Sequence, residues 1–229
     1  MEHGPRDPRA PAGSRLQAVE LAGPAGRLQG LLQEHDAHDH RLTAVVCHPH
    51  PLHGGTLHNK VVHRVASVLH GLGAAVLRFD FRGVGRSEGS YAQGEGELED
   101  ARAAHAWMRA RYPDARRWLA GFSFGAWVAA RLAASESDVE RVILVAPPVA
   151  TSDFSSLRTA AVPKLVIQGT HDDLAPLEAL EREFPMWAEP RTLIRVAGAT
   201  HFYDRQLGTL ARALREALAG SAGTTTPRS

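Results

Sequence analysis

The chain has 229 residues, 44% apolar and 22% charged, enough for one domain with a large buried core. Lysine and arginine number 26 against 25 aspartates and glutamates, so the formal net charge is +1. No basic run is present of the kind that marks a nucleic-acid face, and the longest apolar run, Val142 to Ala150, is too short to span a bilayer and holds two prolines.

Residues 1–14 are rich in proline, glycine and charge, carry no apolar leader, and read as a flexible tail. Residues 219–229 are small and polar and read the same way, which leaves 15–218 as the expected domain. The one cysteine, Cys47, cannot form an intrachain disulfide. Together these features predict a cytoplasmic protein.

Leu16–Leu21 and Arg27–Gln33 read as two opening strands around a turn at Gly23–Gly26. His35, His38 and His40 follow in a polar loop and read as loop residues. Leu42–Cys47 is a short β-rich apolar strand. Asn59–Leu72 has helical spacing (Val62, Val65, Leu69, Leu72) and stops around Gly71 and Gly73. Ala74–Phe79 is a buried strand, and Glu95–Arg111 a helix that ends before Pro113. Its acids Glu95, Glu97, Glu99 and Asp100 suit a helix start and read as structural. Trp118–Gly121 is a strand and Phe124–Ala134 a helix. Arg141–Ala146, Lys164–Gln168 and Arg191–Val196 are three further strands, and Gln206–Leu218 closes the chain as a helix.

Strands alternating with helices predict an α/β fold: a mostly parallel central sheet with helices on both faces. In such sheets the chemistry sits on loops at the carboxyl ends of strands. Three segments meet that condition. Gly121-Phe122-Ser123-Phe124-Gly125 lies between a strand and a helix, where small neighbours allow a sharp turn that pushes a hydroxyl out of the sheet. A serine hydroxyl needs a base, and the base needs an orienting carboxylate. Only His171 and His201 lie downstream of Ser123, and His201 follows the last strand. His171 ranks second. Asp172 and Asp173 both follow the strand Lys164–Gln168. Asp172 is the preferred acid; Asp173 is the alternative, expected to cap a helix beginning near Pro176. Asp153 is a weaker third candidate.

Acyl transfer also needs N–H donors for a developing oxyanion. The Phe124 amide is one. The other is expected from His48-Pro49-His50-Pro51-Leu52-His53-Gly54-Gly55, where two prolines lack an N–H and leave the His50 amide as the candidate. A metal reading of His48, His50, His53 and His58 lacks any recognised ligand spacing, so neither metal nor cofactor is expected.

His48-Pro49-His50-Pro51-Leu52 with Gly54-Gly55, Asn59-Lys60-Val61-Val62, the run Arg78 to Gly89 (RFDFRGVGRSEG) and Gly121–Ala126 together resemble the α/β-hydrolase superfamily, from about Leu16 to Leu218. More narrowly, the chain is similar to a small, lid-less bacterial branch of predicted hydrolases. The resemblance implies Ser123, Asp172 and His201 as a triad, with oxyanion amides at His50 and Phe124. This branch often has Phe or Tyr where the chain has His53. The segment Asp80–Ser87 reads as a structural turn.

The expected activity is that of a serine hydrolase cleaving small ester or acyl substrates through an acyl-enzyme. The competing readings are a peptidase, amidase or thioesterase with the same triad, or a non-catalytic binding module. Residues 147–163 are loop-length, too few for a cap domain. Phe81, Phe122, Phe124, Trp127, Phe154, Phe202 and Tyr203 are candidates for the aromatic lining of the open cleft, with the core as the alternative place for most of them.

Overall fold

In a computed structural model that describes residues 13–36 and 40–220, β1 (Ser14–Gly23) and β2 (Gly26–His35) form an antiparallel hairpin paired from end to end. The two terminal segments read as tails, and His38, lie largely or wholly outside the described residues. β2 pairs antiparallel with β4 (Ala75–Phe79). From β4 onward the sheet is parallel: β3 (Leu42–Cys47) beside it, then β5 (Arg116–Phe122), β6 (Val139–Val145), β7 (Lys164–Gly169) and β8 (Arg191–Val196). The order across the sheet is β1-β2-β4-β3-β5-β6-β7-β8.

The central strands are mostly apolar because both faces are covered, and alternate residues enter different cores. Val45, Leu119, Val142 and Leu144 face one core, filled by α2 (Glu95–Arg111) and α3 (Phe124–Ser135). Val46, Ala120, Phe122, Ile143 and Val145 face the other, filled by α1 (Lys60–Gly71) and α5 (Leu207–Gly220). α4 (Leu177–Glu183) is a short helix between β7 and β8. No helix among the described residues is long and apolar enough to cross a membrane.

Local chemistry fixes the ends of these elements. The Asn59 side chain accepts from the N–H groups of Val61 and Val62 and starts α1. The buried Glu97 carboxylate accepts from Ala92 and Gly94 N–H and holds the entry to α2. Asp100, fully buried, takes three hydrogen bonds from Arg82, two of them from the guanidinium. Asp80 accepts from Leu57 N–H, and the Ser87 hydroxyl donates to the Asp80 carbonyl. The run from Asp80 to Ser87 is therefore a braced turn, and these acids are structural.

Between β6 and β7 the chain makes only a short 3-10 turn, Ser155–Arg158. No cap is inserted there. The loops after β3, β5, β7 and β8 consequently open together at the carboxyl end of the sheet.

Candidate active site

Ser123 sits between the last residue of β5 and the first of α3, with φ +55° and ψ −121°. A positive φ is costly for a residue with a Cβ, of the order of 1–3 kcal/mol, and persists only where the surroundings impose it. Two glycines show how tight the corner is. A Cβ on Gly121 would stand 2.0 Å from the Gly125 carbonyl oxygen, and one on Gly125 would stand 2.3 Å from that of Cys47. Only glycine lets α3 start so close to β5 and β3. Ser123 N–H donates to Val145 O, and Ser123 O receives Ala126 N–H. With the backbone tied down in this way, the side chain stands clear of the sheet.

His201 follows β8 and brings its Nε2 to 2.9 Å from Ser123 Oγ. Its Nδ1 stands 3.0 and 2.9 Å from the two oxygens of Asp172. A carboxylate facing Nδ1 favours the proton there and leaves Nε2 as the lone pair that can accept from the hydroxyl. Asp172, buried after β7, also accepts from Leu174 N–H, Ala175 N–H and Gln168 Nε2. The imidazole is steadied from below by the Phe122 ring at 5.0 Å. Its loop is anchored by Tyr203, whose hydroxyl donates to Ile167 O, and by an ion pair between Lys60 and Asp204.

The structure thus brings Ser123, His201 and Asp172 together and leaves the alternatives outside. Asp173 is exposed, and its expected capping role is corrected: Pro176 stands at the N-cap of α4 with no side-chain cap. Asp172 itself gathers the loop N–H groups, because its carboxylate turns inward beneath them. His171 is exposed, and Asp153 binds Ser155.

A cleft of about 300 Å³ opens over these groups, lined among others by His50, Asn59, Ser152, Leu174 and Phe202. His50 and Phe124 both border it, and among the described residues neither main-chain N–H has an acceptor. The His50 ring accepts from Leu52 N–H through Nδ1, so its Nε2–H donates to the Tyr91 hydroxyl. His53 stacks on it at 4.4 Å, and His58 is exposed. No Asp, Glu, Lys or Arg lines the cleft among the described residues.

The structure divides the candidate aromatics between cleft and core. Phe124 and Phe202 reach the cleft, whereas Phe81, Phe122, Phe154 and Tyr203 are core. Trp127 packs on Phe124 and donates to Asp153 O. Ring size and sequence proximity do not reveal which face of a strand or helix a side chain takes.

Residues 44–161 match the family described as serine aminopeptidase, S33. A lid-less α/β serine hydrolase from Xanthomonas campestris is 39% identical, superposes with a TM-score of 0.84, and covers 96% of this chain and 100% of its own. The chain belongs to the α/β-hydrolase superfamily. An α/β serine hydrolase homologue from Coxiella burnetii is also 39% identical, with a TM-score of 0.84 over 88% of this chain and 97% of that one. An uncharacterized protein of Rickettsia prowazekii is 33% identical over 212 residues, 89% of each chain. An esterase from Butyrivibrio proteoclasticus with bound ferulic acid, 18% identical, shares the fold at a TM-score of 0.80 over 89% of this chain and 98% of that one.

One buried histidine gives this α/β-hydrolase a pH-dependent stability. His48, fully buried beneath the β3 loop, has its pKa pushed down to about 4 by burial, against a partly offsetting hydrogen bond to Pro49. Below about pH 6.5 the unfolded chain takes a proton that the folded chain refuses. The stability is therefore fully present above that pH and lost progressively as pH falls toward 4. Burial lowers the pKa of His105 as well, and its contribution has the same sign. Between pH 7 and pH 5, His48 alone is expected to cost about 2 kcal/mol. Urea denaturation at both pH values checks this, with His48→Asn as the non-titrating reference. Parallel pH dependence in the two proteins would sink it.

Proposed function

We propose that this protein is a carboxylesterase-like serine hydrolase acting on small, uncharged acyl substrates. The observation that carries the reading is the 2.9 Å approach of His201 Nε2 to Ser123 Oγ, with Nδ1 held between the oxygens of Asp172. His201 takes the hydroxyl proton as Ser123 Oγ attacks the carbonyl carbon. Asp172 stabilises the imidazolium, and the His50 and Phe124 N–H groups meet the oxyanion. Collapse breaks the bond to the leaving alcohol, which receives the proton from His201. Water, activated by the same imidazole, attacks the acyl-enzyme, releases the acid and restores Ser123.

The match to a family described as serine aminopeptidase supports a second reading, release of N-terminal residues. A free α-ammonium group must be met by a carboxylate or by convergent carbonyls when it is taken from water. The uncharged lining favours the ester instead. Acetyl and butyryl p-nitrophenyl esters are expected to be cleaved, and aminoacyl p-nitroanilides to be poor substrates. A fluorophosphonate is expected to label the wild type once per chain and to leave Ser123→Ala unlabelled. Efficient turnover of aminoacyl anilides would reverse the preference, and label that survives in Ser123→Ala would move the nucleophile elsewhere.

A further inference from the structure

Both ring nitrogens of His48 are engaged. Nδ1 stands 2.6 Å from Pro49 O, and Nε2 stands 3.1 Å from Phe81 N. A main-chain N–H can only donate, so Nε2 is the acceptor and bears no proton. The ring proton is on Nδ1 and is donated to the Pro49 carbonyl. Phe81, two residues beyond β4, thereby selects the tautomer, and its ring packs edge-on against the imidazole at 4.6 Å. The depressed pKa keeps this neutral form throughout the neutral range.

The Pro49 carbonyl and the His50 N–H belong to one peptide plane, and that peptide is trans. In a trans plane the two groups point in opposite directions. A donor that fixes the carbonyl also fixes where the N–H points. The remaining contacts brace the same unit. A Cβ on Gly55 would stand 2.0 Å from Pro49 O, and His50 O receives the N–H groups of His53 and Gly55 at 3.0 and 3.1 Å.

We infer that His48 is a positioning residue, whose Nδ1–H holds the Pro49–His50 peptide so that the His50 N–H faces the oxygen of the tetrahedral intermediate. The inference rests on the proposed serine-hydrolase reading, with the His50 amide as an oxyanion donor. His48 touches no reacting atom and acts through the peptide plane. Its loss weakens the transition state more than the bound substrate, so kcat falls while KM holds.

Two substitutions separate the two nitrogens. His48→Asn puts an amide nitrogen in the place of Nδ1, keeping the donor to Pro49 and losing the acceptor for Phe81. His48→Gln puts an amide oxygen in the place of Nε2, with the opposite result. With p-nitrophenyl butyrate, His48→Gln is expected to lower kcat by about tenfold or more with little change in KM. It should weaken inhibition by a trifluoromethyl ketone, whose adduct carries the oxyanion, by the same factor. His48→Asn should recover most of both. Rates are referred to sites titrated with a fluorophosphonate, so unfolded protein is not counted. Equal losses in the two variants, or full kcat per titrated site in His48→Gln, would overturn the inference. A readout on the wild type stands independently of either variant: in 15N NMR the resonances assigned to His48, identified by their loss in His48→Asn, should be those of a neutral, Nδ1-protonated ring that does not titrate between pH 5 and 9. Assignment of His48 as the Nε2-protonated form would overturn it equally. If the wild type takes no label, the nucleophile assignment itself fails, an outcome distinct from failure of the two variants.

Discussion

Ser123→Ala is expected to lower kcat toward a short acyl ester by at least about 10,000-fold while the protein stays folded. On the proposed mechanism, the substitution removes the one atom that bonds to the substrate. His201, Asp172 and the loop N–H groups remain, so the residual rate reports binding and oxyanion stabilisation acting on water alone. Ser123 donates its backbone N–H to Val145, and alanine keeps that bond. The side chain also lies at the cleft rather than within either core. The melting temperature should therefore move by only a few degrees. Steady-state kinetics on freshly purified variant, with thermal unfolding in parallel, measure both quantities. Activity within tenfold of wild type would remove Ser123 from the mechanism.

Asp172→Asn is expected to cost about 1,000- to 10,000-fold in kcat, and Asp173→Asn less than about twofold. The asparagine oxygen can still receive Leu174 and Ala175 N–H, which holds the loop, while the bond from Gln168 Nε2 to the other carboxylate oxygen is lost. The amide turned toward His201 Nδ1 is where the effect arises. An N–H facing that nitrogen favours the tautomer with its proton on Nε2, which leaves no lone pair for the Ser123 hydroxyl. Asp173 is exposed and lies outside this network. Comparing the two variants on one ester decides between neighbouring carboxylates, and exchanged effects would reassign the acid.

Much of this arrangement was readable from the residues. Leu42–Cys47 and Lys164–Gln168 stand out as strands because two-sided burial leaves them mostly apolar, and Asn59–Leu72 reads as a helix by the spacing of Val62, Val65, Leu69 and Leu72. The elbow was legible because Gly121 and Gly125 are needed for steric reasons that composition displays directly. The strand order was not: β3 lies between β4 and β5, an outcome of crossovers that local sequence does not encode. Asp173 was misread because proximity to a helix start says nothing of side-chain direction, and Asp172 was already turned into the loop. His48 escaped notice as a bridge because its partners are backbone groups, one of them on Phe81, far along the chain. The available signal was a histidine directly after a fully buried strand, where an imidazole must find partners for both nitrogens.

The groups that meet at the cleft are drawn from distant parts of the chain: the serine after β5, the acid after β7, the imidazole after β8, and an N–H from the loop that follows β3. Ser123 and His201 alone are 78 positions apart. On the proposed mechanism, turnover is expected only from a chain in which the ends of these four strands have been brought together. A refolding sample is therefore expected to release product only after the loops following β3, β5, β7 and β8 have all assembled.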